Sequence, residues 1–478
     1  MDSNKSHDIR SNGLRQGTLG VWFIVFFVVS AAGPLTVIAG GLPMGMMLGN
    51  GAGLPFMLIL VIIVLLLFSV GYTSMSRHVA NGGGFYALIS RGLGFRMGGI
   101  AASLAILGYN AMQIGLYGLH GVASAALLRS LTGISCPWWV WAYASIITIG
   151  FLGYRRVDLS ARLLMTLVAC EYLVVLIFDF LIVHAGGNSG LSMAPFTFSA
   201  LLGGAPAIAV LFCFAAFVGF EATTIYSEEA KNPTKTIPIA TYVSILLIGG
   251  FYTFSAWCLV VGAGYNNLAS KIISLSDPTD FTFILANQYG SAWLSIAMRI
   301  MLVTSVYAAL LAFHNSIARY FFSTGREGFL PRKLGEAHLY YQSPHTGSLL
   351  QSVIAITILT CFVLCRSDPI NTVFSWLTNL ATLCIICLMT ICSLSITRFF
   401  YCNKNNGINN SIILFSSILS GIVFLIIFIL SVDKFHLLTG QSGQIAWTLL
   451  SLLPLAVLAG LLRANYLLRY SPNIDNIL

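Results

Sequence analysis

The chain has 478 residues, of which 57% are hydrophobic and only 8% charged. A soluble domain of ordinary composition is about a quarter charged, so a soluble enzyme or binding module is excluded and the bulk of the chain belongs in lipid. The net charge of +9 comes without any basic cluster interleaved with stacking aromatics, which excludes a nucleic-acid partner.

Runs of about 20 apolar residues with few charges mark membrane-spanning helices. Twelve such segments are expected: 18–42, 54–76, 97–128, 138–154, 160–184, 204–226, 238–263, 292–320, 347–365, 373–398, 411–432 and 445–468. An even number places both termini on one side. With that side cytoplasmic, 19 of the 24 basic residues fall inside, against Arg129, Lys271, Arg366 and Lys434 in outer loops and Arg299 within a helix. This is the positive-inside pattern.

Residues 1–16 read as a polar cytoplasmic tail. Arg10, Arg15, the apolar run from Val21 and Ser30-Ala31-Ala32 have the outline of a cleavable signal. The apolar stretch resumes through Leu35 to Leu48, however, and losing one segment would upset the charge pattern, so the segment is expected to stay. Within segment 1, Ser30-Ala31-Ala32-Gly33-Pro34 interrupts the helix: Gly33 relaxes the backbone, and Pro34 removes an N–H and cannot continue the preceding turn. A half-helix restarting at Pro34 would turn its free N–H groups and positive dipole end toward a cavity, suiting a carboxylate.

After segment 2, Asn81-Gly82-Gly83-Gly84 reads as a glycine hinge into an amphipathic cytoplasmic helix; it lacks the lysine spacing of a phosphate loop. Segment 3 offers Tyr109, Asn110, Gln113 and Tyr117, with Tyr109, Gln113 and Tyr117 on one helix face, as either a binding wall or a packing stripe. Segment 5 carries Glu171 about twelve residues from its inner end, roughly 18 Å deep at helical rise. A midplane carboxyl is a candidate to load and release a proton. Asp179 lies further out, where a salt bridge to Arg299 is the expected structural role.

Segment 6 is interrupted at Phe217-Val218-Gly219-Phe220-Glu221. Glu221 places a carboxyl near the midplane, where it could pair with a substrate ammonium, hold a proton, or bond backbone amides freed by the break. In the outer segment Asp277 to Gly290, Asp277 is the expected N-cap and Pro278 a first-turn proline. Segment 8 supplies Thr304, Ser305 and Tyr307 at mid-depth, with His314 and Asn315 deeper, His314 being expected as a structural group. The ten cysteines sit mostly in apolar spans without ligand spacing, so neither a metal nor a disulfide framework is expected. Residues 471–478 read as a second cytoplasmic tail.

Breaks in the first and sixth segments fall at corresponding places if segments 1–5 and 6–10 are two repeats. Five is odd, so the repeats insert with opposite orientation, the arrangement of many secondary transporters. A channel would want charged or carbonyl rings around a pore, and a membrane enzyme a nucleophile, acid–base pair or metal cluster at one depth; neither pattern is present.

Three stretches carry a family resemblance. Phe214-Ala215-Ala216-Phe217-Val218-Gly219-Phe220-Glu221, with Glu228-Glu229-Ala230-Lys231-Asn232-Pro233 and Ile237-Pro238-Ile239-Ala240, is similar to the sixth helix and following loop of the amino acid–polyamine–organocation (APC) superfamily. Arg319, followed by Gly325-Arg326-Glu327-Gly328-Phe329-Leu330-Pro331, resembles the exit of that family's eighth helix, and Gly82-Gly83-Gly84-Phe85-Tyr86 its loop after helix two.

The resemblance implies an all-α integral membrane protein of twelve transmembrane helices, a five-plus-five inverted repeat (LeuT-like) with two peripheral helices. The parts would be repeats at 17–200 and 201–400, peripheral helices at 401–470, and tails at 1–16 and 471–478. It implies substrate held between unwound helices 1 and 6, walled by helices 3 and 8. The expected contacts are Ser30, Ala31, Ala32, Gly33, Tyr109, Gln113, Phe217, Val218, Gly219, Glu221 and Ser305. Glu171 falls about where some proton-coupled members carry a buried lysine, so the charge sign there is reversed, and Ala31-Ala32-Gly33-Pro34 replaces the usual glycine-small-glycine signature of helix 1. The expectation is a plasma-membrane importer of an amino acid or related amine, not an enzyme and without cofactor or metal. Protons are the expected coupling ion, through Glu171 or Glu221, with an exchanger as the alternative.

Overall fold

A computed structural model describes residues 17–79, 83–155, 157–275, 277–403, 410–439 and 443–470. The two expected tails, Gly82 of the glycine hinge and the loop holding Lys404 lie outside these residues. Among those described, the fold is all helical.

The helix α1 (Val21–Ala32) leads through a wide π-helical turn at Thr36–Gly41 into α2 (Leu42–Leu48). Next come α3 (Leu54–Ser76), α4 (Gly84–Leu93), α5 (Phe95–Thr132), α6 (Trp138–Arg155) and α7 (Val157–His184). A single turn, α8 (Phe198–Leu201), precedes α9 (Pro206–Ala215), a 3-10 stretch at Phe220–Thr224 and α10 (Pro233–Ala263). Two short helices, α11 (Leu268–Ile273) and α12 (Asp280–Gly290), join α10 to α13 (Ala292–Arg326). The chain then forms α14 (His345–Leu364), α15 (Ser375–Cys402), α16 (Asn410–Thr439) and α17 (Gly443–Tyr470).

Local chemistry sets many of these boundaries. Proline occupies the first turn of α3, α9 and α10, where its missing N–H has no helical partner to lose. Gly133 closes α5 in the left-handed region at φ 75°. The Asp368 carboxylate accepts from the Ile370 and Asn371 amides at 2.9 and 2.6 Å, capping the π-helical turn that enters α15.

Eleven helices among the described residues are long and apolar enough to cross a membrane. Segment 4 of the twelve expected is present as α6, whose Trp138, Trp139 and Trp141 lower its hydropathy; such rings favour the membrane interface. The α5 helix outruns segment 3, and its 38 residues span about 57 Å at helical rise, well beyond a hydrocarbon core.

Burial separates centre from rim. In the most apolar windows, 83% of α5 and of the α9 region is covered by protein, against 17% of α17. The α16 helix packs on α15 and α3, while α17 packs on α5; the two outermost helices therefore brace different parts of the bundle more than each other.

Two expectations are corrected around Arg299 and Asp277. Arg299 does not reach Asp179: it pairs with Asp280 at 2.8 Å and lies over the Phe283 ring, because α12 lies alongside the start of α13. Asp179 is turned toward α10, where its carboxylate accepts from the Ser255 hydroxyl at 2.6 Å. Asp277 does not cap α12 directly. Its carboxylate takes the amide and hydroxyl of Thr279, both at 2.8 Å, in a turn that ends as α12 begins at Asp280, which leaves Pro278 ahead of the helix.

Candidate functional site

The first break is built on one glycine. Gly33 has φ 57°, and its amide turns back to the Val29 and Ser30 carbonyls at 3.1 and 3.2 Å, closing α1. A Cβ at this position would come within 2.8 Å of Thr36 Oγ1, so both conformation and space require glycine. The Ala32 carbonyl at the helix end accepts from the Tyr252 hydroxyl of α10 at 3.2 Å. Beyond Pro34, the Thr36 amide donates to Ser305 Oγ of α13 at 3.3 Å, and the two hydroxyls lie 3.2 Å apart.

The second break follows α9. Phe217 and Val218 donate three residues back, to Phe214 and Ala215, tightening the last turn. Gly219 then takes φ 112°, and its amide, freed from any helical carbonyl, donates to Glu221 Oε2 at 2.9 Å. Glu221 Oε1 accepts from the Tyr109 hydroxyl of α5 at 2.9 Å. Of the three roles open to Glu221, the geometry has it bonded to a freed backbone amide. The two breaks also touch: a Cβ on Gly219 would lie 2.8 Å from the Ala31 Cβ.

Glu171 of α7 is fully buried. Its carboxyl faces the Ser305 hydroxyl and the Leu35 backbone, yet neither oxygen makes a hydrogen bond of full geometry among the described residues. Ser305 thus stands between Glu171 on one side and Thr36 of the first break on the other.

A cavity of about 60 Å³ opens between the breaks. Ala31, Ala32, Thr36 and Val37 form one wall, and Ala215, Ala216 and Val218 another. Met112 and Leu116 of α5 and Phe313 of α13 contribute, as do Phe374, Thr378 and Asn379 at the start of α15.

Of the residues expected at the site, Ala31, Ala32 and Val218 line this cavity. Ser30, Gly33, Phe217 and Gly219 shape the breaks without lining it, and the buried Ser30 hydroxyl has no partner among the described residues. Tyr109 holds Glu221, and Ser305 holds Thr36. Gln113 faces elsewhere: it donates to the Tyr117 hydroxyl at 3.1 Å and accepts from Gln351 of α14 at 2.6 Å. The α5 positions that meet the cavity, Met112 and Leu116, lie one residue, about 100° of helix, round from Gln113 and Tyr117. Deeper in α13, His314 is bonded to the Ser348 hydroxyl at 2.7 Å, and Thr304 and Tyr307 bond Met301 and Thr148.

Thr36, Phe313, Thr378 and Asn379 are wall residues that the sequence alone does not single out. Thr36 carried a signal, a hydroxyl two residues past the break-forming proline; Thr378 and Asn379, within segment 10, did not stand out. The packing at the N-terminal end of α1 is likewise visible only in the structure. There Arg319 Nε and Nη2 bond Glu229 Oε1 and Oε2 at 2.5 and 3.2 Å, both side chains nearly sealed from solvent, and the guanidinium lies over the Tyr226 ring. Backbone bonds from Thr18 and Leu19 to Glu229, and from Lys231 back to Leu19, tie the start of α1 to the loop after the second break. Arg326 pairs with Glu228 beside them. These contacts tie α1, α13 and the loop beyond the second break together at this end of the bundle.

The profile of the family described as "Amino acid permease" matches residues 19–462. Human cationic amino acid transporter 4 is 26% identical over 170 residues, 36% of this chain and 24% of that protein. The branched-chain amino acid permease BcaP of Bacillus subtilis is 23% identical over 315 residues, 62% of this chain and 65% of the relative. The low-affinity putrescine importer PlaP of Escherichia coli K12 is 22% identical over 319 residues, covering 65% and 68% of the two chains. The chain therefore spans less than a third of the human relative and about two thirds of the bacterial ones. With the family profile covering nearly the whole helical bundle and both interrupted helices, the chain belongs to the amino acid permeases of the APC superfamily.

Proposed function

We propose that the protein imports an amino acid or related amine by alternating access and that protons drive accumulation through Glu171. The observation that carries this reading is the line from cavity to carboxyl: Thr36 lines the cavity, Ser305 accepts its amide proton, and Glu171 faces Ser305. A substrate carboxylate entering at the first break competes with Ser305 for the Thr36 amide. Once displaced, the Ser305 hydroxyl is free to turn to Glu171. Occupancy and protonation are then linked, and by reciprocity each changes the affinity for the other. The substrate ammonium is assigned to the carbonyls around Phe217 to Gly219, with the side chain in the cavity. The relatives' names cover branched-chain, cationic and polyamine cargo, which supports the class of amino acid or amine and no finer assignment.

The reading extends to architecture. Helices up to α7 and from α9 to α15 are proposed as inverted repeats (17–200 and 201–400), with α16 and α17 peripheral. Both termini are assigned to the cytoplasmic side of the cell membrane, which makes the end tied by Arg319 and Glu229 the inner one.

Purified protein in liposomes, with an imposed pH gradient and labelled substrate, tests the coupling. Glu171→Gln is expected to bind and exchange substrate while losing gradient-driven accumulation, and Glu221→Gln in the same assay examines the competing carboxyl. Wild-type accumulation and pH dependence in Glu171→Gln would show that Glu171 is structural.

A further inference from the structure

Resting on the transport reading above, we infer that the cargo is a zwitterionic amino acid with a compact aliphatic side chain, and that cationic amino acids and polyamines are rejected. The cavity between the breaks carries no ionisable side chain. Its polar members are Thr36, Thr378 and Asn379, all neutral, and Thr378 and Asn379 each spend a donor on their own helix, leaving uncharged oxygens and no carboxylate. Thr36 is joined to Ser305. Thr378 donates its hydroxyl proton to the Phe374 carbonyl, and Asn379 its amide to the Ser375 carbonyl, both at 2.7 Å. The rest of the wall is methyl, methylene and aromatic surface.

None of the buried acids lines the cavity. Glu221 spends one oxygen on the Tyr109 hydroxyl and the other on the Gly219 amide. Glu171 stands behind Ser305, Asp179 is bonded to Ser255, and Glu229 is matched to Arg319. A second ammonium or a guanidinium entering the cavity would lose its hydration and meet no carboxylate, an uncompensated cost that an aliphatic side chain avoids. The α-ammonium and α-carboxylate escape this cost because the broken backbone supplies dipoles for them. The space, about 60 Å³, suits a handful of carbon atoms. Burying each further methylene should tighten binding about fourfold until the cavity is full.

Thermal-shift and radioligand binding on the purified full chain test this directly, with alanine, valine, leucine, phenylalanine, lysine, arginine and putrescine as probes. Affinity should rise from alanine to valine and leucine, with lysine, arginine and putrescine at least tenfold weaker than leucine. Lysine or putrescine binding as tightly as leucine would overturn the inference. Two variants ask whether this cavity is the pocket that sorts side chains. Ala216→Val should lose leucine but keep alanine, and Met112→Ala should admit phenylalanine. If both fold and neither changes the size preference, the cavity is not the selective pocket and the inference fails. Selective leucine binding without proton-driven accumulation supports the cargo class and overturns the coupling proposal. Proton-driven uptake of lysine in preference to leucine does the reverse.

Discussion

Glu171 and Glu221 are both buried acids, but their surroundings give them different work. Glu221 has both oxygens occupied, so it fixes the second break against α5. Replacing Tyr109 by Phe leaves one of those oxygens unsatisfied, at a cost of about 1–3 kcal/mol. The expected result is a lower thermal-unfolding midpoint, with Glu171-dependent pH coupling retained. Glu171 has no bond of full geometry among the described residues, and if it carries the coupling proton as proposed, the pH dependence of uptake should flatten in Glu171→Gln. Both acids were legible because a carboxyl in an apolar run is conspicuous. Thr36, Thr378 and Asn379 were not, since single small polar residues recur throughout such helices. Nor could spacing alone choose between the Tyr109–Gln113–Tyr117 face and its neighbour carrying Met112 and Leu116, because the choice depends on how α5 is rotated against α1 and α13. Arg299 shows the same limit: depth suggested Asp179, whereas packing gave it Asp280.

At the scale of elements, the interruptions were the most readable feature. Gly33-Pro34 and Gly219 oppose continuous helical bonding by their chemistry, and α1 and α9 end there. Their mutual contact was not readable, since it joins residues nearly two hundred positions apart. Gly219→Ala should disturb both breaks: it forces a side chain into a left-handed conformation and onto Ala31. Strain and overlap together should cost about 2–4 kcal/mol and reduce initial uptake at least tenfold. Arg319 and Glu229 lock α13 to the loop beyond the second break. Arg319→Met leaves a buried carboxylate unpaired and should destabilise by about 3–5 kcal/mol, whereas Arg319→Met with Glu229→Leu should recover much of the thermal midpoint. If the lock is the inner gate, the double variant should still exchange substrate but leak along its gradient, which counterflow and efflux measurements separate.

For the whole molecule, hydropathy located the eleven long apolar helices found among the described residues, while the lengths beyond the lipid and the separate bracing of α16 and α17 were not readable, because both are set by packing between helices. The proposed topology predicts that single cysteines at Arg332 and Lys434, in a cysteine-free background, react with an impermeant thiol reagent from opposite sides of the membrane. Labelling of both from the same side would refute it. The short helices bear on how the chain enters the bilayer. With 12 residues in α1 and 10 in α9, each covers about 15–18 Å, roughly half a hydrocarbon core of 30 Å. Neither can span alone. Each is instead one part of a longer interrupted span, Val21–Leu48 and Pro206–Thr224, whose loosened backbone at Gly33 and Gly219 is covered where the two breaks meet at Ala31. A chain truncated before α9 would leave the interruption at Gly33 without the Gly219 stretch that packs on Ala31, and its first helix is expected to be cut by protease more readily than that of the full chain.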